Sequence, residues 1–251
     1  MIVGIPKETF PDEKRVALVP QGAASLTKAG FEVFVEAGAG DKSGFNDSEY
    51  TDKGAKIVEK RKDLFSKAEI IMQVRGFGAN IDNGKSDLKL VKQNQLVIGL
   101  HNPLASIDAM KELAKRKVTA FAMELIPRIT KAQSMDTLSS MATIAGYKAV
   151  LLAAESLPKM FPMLMTAAGT IAPARAFVVG AGVAGLQAIA TAKRLGAVVK
   201  AYDVRDAVKE QIESLGAKFV ELPVEAKDAE DSGGYAKEMD EAFYKRQREM
   251  M

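Results

Sequence analysis

Residues 176–203 hold the densest chemical information in the chain. The run Ala176-Phe-Val-Val-Gly180-Ala-Gly182-Val183-Ala184-Gly185-Leu-Gln-Ala-Ile-Ala passes into an Ala-rich stretch ending at Gly196. A second apolar run follows and is closed by Tyr202-Asp203. This is strand, glycine turn, helix, strand and acid, in the order of a dinucleotide-binding unit. Each residue type has a physical reason. Gly180 permits the tight turn, Gly182 lets a pyrophosphate approach the backbone, and Gly185 lets helix and strand pack closely. The amides of Val183, Ala184 and Gly185 open the helix, where free N–H groups and the positive end of its dipole favour phosphate. Asp203 lies about twenty residues beyond the turn, where a carboxylate accepts ribose hydroxyls and repels a 2′-phosphate. NAD(H) is therefore expected over NADP(H). Arg205, beyond Val204, is the counter-argument, since an arginine there can accept a 2′-phosphate.

These residues need elements to hold them. The 251-residue chain is long enough for two domains, and 47% of it is apolar. Short apolar runs at 2–5, 31–35, 70–74, 96–100 and 118–123 alternate with helix-prone stretches. Pro20 marks the start of one helix, and Ser106 is expected to cap another running to about Lys117. Such alternation predicts a parallel sheet covered by helices. The expected fold class is α/β, with two Rossmann-like doubly wound domains joined by a long helix. The boundaries read 1–135 for an N-terminal domain, 136–157 for the linking helix and 158–251 for the nucleotide domain. Leu138, Met141, Ala145, Ala149, Leu152 and Leu157 recur at helical spacing within that linker. Residues 158–175 read as the entry to the second unit, followed after the fingerprint by a helix over 206–215 and a strand over 218–221. There is room for only about three strands after residue 170, where a full unit has about six. The second domain is thus expected to be partial, with the chain stopping short of its natural end.

Composition removes several chemistries. There is no cysteine and one histidine, His101, which excludes disulfides, thiolate sites and histidine metal clusters. No metal is expected. The net charge of +3, with 35 basic and 32 acidic residues, gives no reason to expect nucleic-acid binding. No uncharged run reaches the length of a membrane span, so direct insertion is not expected.

A second pattern is more specific: Arg128-Ile-Thr-Lys-Ala-Gln133-Ser-Met-Asp136-Thr-Leu-Ser139-Ser-Met-Ala-Thr-Ile-Ala-Gly146-Tyr147. It resembles the signature of the NAD(H)-binding component of proton-translocating NAD(P) transhydrogenases, to which alanine dehydrogenases are related. The resemblance extends to Ile5-Pro-Lys-Glu8, Glu13-Lys-Arg15-Val, Met165-Thr-Ala-Ala-Gly169 and Gly233-Gly-Tyr235. It implies a peripheral homodimer on the cytoplasmic side of a membrane, docked on membrane-spanning and NADP-binding components. It implies direct hydride transfer from NADH to NADP+. Arg128, Gln133, Asp136 and Ser139 would surround the nicotinamide and its ribose in the cleft between the domains, and Tyr235 would lie on a mobile loop that closes over the nucleotide.

The residue types suit that chemistry, because hydride exchange between nicotinamides needs positioning and dryness rather than an acid or base. From spacing alone, Asp136 reads equally as a helix cap and Arg128 as a surface charge. Gly-Gly-Tyr235 likewise reads as an ordinary loop. The competing expectation is an alanine-dehydrogenase-type amino-acid dehydrogenase. Arg15 and His101 stand where that family has a substrate-binding arginine and a catalytic histidine, but Arg75 replaces its lysine and exchanges protons poorly. A third reading is an NAD-binding module without activity.

Overall fold

The alternation of apolar and helix-prone segments folds into parallel sheets. In the computed structural model, residues 1–221, 237 and 240–250 are described; Tyr235 lies outside them. The chain divides into two units, Met1–Asp136 and Thr137–Met251. The first runs β1 (Ile2–Ile5), α1 (Pro20–Lys28), β2 (Glu32–Glu36), α2 (Asp47–Thr51), β3 (Lys56–Val58) and α3 (Arg61–Lys67). It continues through β4 (Ile70–Arg75), α4 (Ile81–Leu90), β5 (Leu96–Leu100), α5 (Ile107–Lys115) and β6 (Thr119–Ala122). The six strands pair in parallel in the order β3-β2-β1-β4-β5-β6. That is the order of a doubly wound sheet, with its reversal of winding between β1 and β4.

Local chemistry explains the element ends. Pro20 opens α1, where its missing N–H costs nothing. At α2 the Asn46 side chain accepts from the Glu49 amide and the Glu49 carboxylate accepts from the Asn46 amide, a closed capping box. Ser106 stands at the start of α5, but its hydroxyl donates to the Gly78 carbonyl at 2.8 Å and makes no cap. The expectation of a serine cap is corrected: the Gly78 carbonyl, in the turn before α4, captures that hydroxyl. Ile5, Val35, Leu64, Phe65 and Ile71 are fully buried, each contributing about 1.5–3 kcal/mol by leaving water.

The second unit begins with α6 (Thr137–Ser156), followed by the antiparallel hairpin β7 (Leu164–Thr166) and β8 (Gly169–Ile171), which periodicity missed. Then come β9 (Arg175–Val179), α7 (Val183–Arg194), β10 (Val198–Tyr202), α8 (Lys209–Ser214), β11 (Lys218–Phe219) and α9 (Glu241–Met250). Among the described residues β11-β10-β9 form a parallel sheet. One face joins Ala176, Val178, Val199, Ala201 and Phe219 to the buried Ile189 and Ile212. The alternate residues Phe177, Val179 and Val198 are exposed.

By length and composition α6 could cross a membrane. Lys148 interrupts its apolar surface, and Gly146 packs on α7. A Cβ on Gly146 would stand 2.1 Å from the Ala184 carbonyl oxygen, so the helices touch backbone to backbone. Gly146→Ala is expected to lower the unfolding free energy of the second unit by about 1–3 kcal/mol through overpacking. Chemical denaturation reads this directly. An unchanged midpoint would mean that α6 and α7 are not in close contact.

Candidate functional site

The turn between β9 and α7 is built by three glycines acting in three ways. Gly180 has φ 93, a left-handed conformation that only glycine adopts freely, and its amide donates to the Tyr202 carbonyl at 2.8 Å. Gly185 is a packing glycine: a Cβ would lie 1.8 Å from the Gly180 carbonyl oxygen. Gly182 differs. Its φ of −74 suits any residue, and a Cβ would meet nothing within 4 Å. Nothing among the described residues requires glycine there; a ligand against the backbone would. Gly182 and Val183 are exposed, Ala184 is half-buried, and the opening amides of α7 have no partner within their own helix. This cradle fits a pyrophosphate.

Asp203 follows β10 and is 6% exposed. Its carboxylate accepts from the Ala181 amide at 2.6 Å, in the centre of the glycine turn, and from the Arg205 amide at 2.9 Å. The Arg205 guanidinium adds Nε and Nη2, each at 2.9 Å. Burial works against ionisation, but the hydrogen bonds from Arg205 and Ala181 outweigh it and hold the carboxyl below its ordinary range. Val204 forms the bend between acid and arginine.

The signature residues lie on one stretch of chain. Arg128 is exposed, just before a 3-10 turn over Thr130–Met135; Gln133 is exposed within it, and Asp136 ends it half-buried. Ser139 falls in the first turn of α6, where its carbonyl accepts from the Thr143 hydroxyl.

The first unit has its own polar centre, at the switch point of its sheet. Glu13 is 7% exposed and accepts from Arg15 Nε at 2.7 Å and Nη2 at 2.6 Å, and from Arg75 Nε at 3.0 Å. Arg75 also stacks 4.1 Å from the Phe10 ring centre. Glu8 accepts the amides of Val74 at 2.6 Å and Arg75 at 3.2 Å. The His101 ring is 2% exposed, and neither nitrogen has a hydrogen-bond partner. A Cβ on Gly76 would stand 2.2 Å from it. Burial lowers its pKa, so the ring is held neutral despite Glu124 nearby.

Comparison with known proteins agrees with this architecture. The family model described as alanine dehydrogenase/PNT, N-terminal domain, matches residues 4–145, and the corresponding C-terminal domain matches residues 149–248. The chain belongs to the alanine dehydrogenase/PNT family. An NAD(P) transhydrogenase subunit alpha chain from Rhodospirillum rubrum is 49% identical over 99% of this chain and 65% of its own length. A crystal structure of transhydrogenase from Sinorhizobium meliloti has TM-score 0.82 at 48% identity, over 89% of this chain and 62% of that one. An L-alanine dehydrogenase structure has TM-score 0.77 at 25% identity, over 92% and 62%. The chain therefore spans just under two thirds of the length of these relatives.

In this member of the alanine dehydrogenase/PNT family, the linear sequence left two contributions unread. Glu13 binds two arginines, one of them across 62 positions. The Ala181 amide ties the glycine turn to Asp203, and only the residue's place inside Gly-x-Gly hinted at it. The first unit also has a titration of opposite signs. Burial pushes Glu8 from 4.5 up to about 7, with the neighbouring Glu13 adding to the rise and Arg61 opposing it. The bonds from Arg15 hold Glu13 at about 2. The Glu8 contribution is complete below its unfolded value and is lost as pH rises through about 7. That of Glu13 is present above 4.5 and lost as pH falls towards 2. Glu8→Gln is expected to flatten stability between about pH 5 and 8 and to gain about 1–3 kcal/mol at the alkaline end. Denaturant melts across that range test it; a parent-like decline in the variant would assign the titration elsewhere.

Proposed function

We propose that this chain is the NAD(H)-holding component of a proton-translocating NAD(P) transhydrogenase. The observation that carries this is Gly182: a glycine whose missing side chain serves no packing purpose, opposite the buried Asp203, in a chain 49% identical to a transhydrogenase alpha-subunit chain. When bound, the nicotinamide cofactor supplies the hydride. The chain's own residues bind and orient. Gly182 and the amides of Val183, Ala184 and Gly185 take the pyrophosphate, and Asp203 takes the adenosine ribose. Arg128, Gln133, Asp136 and Ser139 fix the nicotinamide end, and Tyr235 covers it. The acceptor is NADP+ on a partner component, and the membrane-spanning component couples the exchange to proton movement. The working unit is a homodimer held peripherally on the cytoplasmic face through those partners.

The first unit's polar centre favours this over amino-acid oxidation. Arg15 and Arg75 are already engaged by the same carboxylate, and the His101 ring is closed in by Gly76. A small carboxylate substrate would have to share both arginines with Glu13, and Arg75 stands where the amino-acid dehydrogenase pattern has its lysine. In the assembled transhydrogenase, hydride exchange between NADH and an NADP-type acceptor should require the NADP-binding component, and L-alanine should give no NADH. Alanine-dependent NADH formation without a partner would overturn the assignment. Gln133→Asn should slow transfer by about a hundredfold while leaving NADH binding near parent level, since a misplacement of about 1 Å is enough; parent-like transfer would remove Gln133 from the positioning set.

The glycines give a sharper test of the cradle. Gly182→Ala should leave thermal stability unchanged but weaken NADH binding by about tenfold or more, because the new methyl projects where phosphate sits. Gly185→Ala should destabilise the unit whether or not nucleotide is present. Calorimetric titration and thermal melts of both variants separate the two roles; undiminished NADH affinity in Gly182→Ala would remove the pyrophosphate from this turn.

A further inference from the structure

A carboxylate has about four lone-pair positions, and at Asp203 four N–H donors take them up. Two are backbone amides, from Ala181 and Arg205, and two belong to the Arg205 guanidinium. The pair is largely out of solvent, with side chains 13% and 4% exposed. A ribose diol brings two O–H donors of its own, so Asp203 can receive them only by giving up two of its present partners. The amides are not free to leave. That of Ala181 belongs to the turn joining β9 to α7, and that of Arg205 is fixed by the bend after β10. The guanidinium sits at the end of a rotatable side chain and can leave without moving the backbone.

We propose that Arg205 is a self-ligand of the nucleotide site: it forks onto Asp203 in the free protein, yields that place to the adenosine ribose, and sets the NAD(H)/NADP(H) balance from beside the 2′ position. The proposal rests on the NAD(H) reading above and adds to it a residue that determines specificity. Two consequences have opposite sign. NAD(H) must break the fork to bind, so its apparent affinity is reduced by whatever the fork contributes to the free state. A 2′-phosphate meets the Asp203 carboxylate, and the displaced guanidinium is the cation that offsets this repulsion. Removing the guanidinium should therefore strengthen NAD(H) binding and weaken NADP(H) binding together. A residue with a merely structural role would shift both affinities the same way.

Calorimetric titration of the full chain with NADH and with NADPH tests this, using the parent, Arg205→Met and Arg205→Lys. In Arg205→Met the Kd for NADH should fall about three- to tenfold and that for NADPH should rise by at least about threefold. Arg205→Lys keeps the charge but not the fork. It should gain affinity for NADH while holding parent-level affinity for NADPH, and it serves as the deciding variant if the methionine protein does not fold. Unchanged or weaker NADH binding in both folded variants overturns the self-ligand while leaving the NAD(H) site in place. A parent that binds no NADH, or an Asp203→Asn variant that binds it as well as the parent, overturns the NAD(H) reading itself and the proposal with it.

Discussion

Two backbone segments can touch only where no side chain stands between them, and the second unit uses a glycine to meet that constraint twice. At Gly185 the first turn of α7 comes against the Gly180 carbonyl, and at Gly146 helix α6 comes against the Ala184 carbonyl. The two contacts grip the same turn of α7 from different neighbours. They fix where the helix begins, and hence where its opening amides lie. Asp203 adds the third restraint, because its bond to the Ala181 amide ties the end of β10 to the turn after β9. The cradle is therefore held by packing at Gly185 and by backbone conformation at Gly180, while Gly182, which serves neither, lines its open side.

The first unit solves its problem with charge rather than close approach. Its connection from β1 to α1 is long and polar, so the switch point cannot be sealed by apolar packing alone. Arg61 spans the gap instead. It donates to the Lys7 carbonyl at 2.8 Å, to Glu36 at 2.6 Å and to Asp87 at 2.6 Å through two nitrogens. Glu13 does the same for Arg15 and Arg75. Arg61, Glu36 and Asp87 are mostly out of water, and removing a single partner from such a network typically costs about 3–5 kcal/mol; Arg15 and Arg75 keep a third or more of their side chains in solvent. Glu13 takes two nitrogens of Arg15 and one of Arg75, so any anion reaching these arginines meets a carboxylate already in place.

How much of this was legible depended on distance along the chain. Strands β1 and β5, the ends of α6 and the glycine turn are local patterns, and their expected limits agree with the observed ones within a residue or so. The short strand β3, Lys56-Ile-Val58, was not expected because three residues beside charged neighbours carry no periodicity; it exists because β2 offers it an edge. The β7–β8 hairpin was hidden in a segment rich in proline. The segment expected as a helix over 206–215 resolves into a 3-10 turn and the shorter α8. The charge pairings were least legible of all, since Arg61 with Asp87 and Arg75 with Glu13 join residues dozens of positions apart. Fingerprint spacing singled out Asp203, which the structure ties to the glycine turn through the Ala181 amide, but gave no sign that Arg205 already holds it.

The contrast between sealed and exposed groups links structure to the proposed chemistry. Acid–base catalysis requires a titratable group with an accessible lone pair or proton near the reacting atoms. In the first unit His101 is sealed, Glu13 is committed to two arginines and Glu8 to two amides. The groups that stay exposed are of another kind: Gly182 and Val183 at the start of α7 in the second unit, and Arg128 and Gln133 of the signature segment in the first. A hydride passing directly between two nicotinamides asks for this division. No proton moves at the reacting carbons, so an uncommitted acid or base nearby would add only a route to side reactions. What the reaction does ask for is a fixed distance and angle between two rings. What the second unit offers towards that proposed task is a turn clamped by backbone contact and tied to the buried Asp203 through the Ala181 amide.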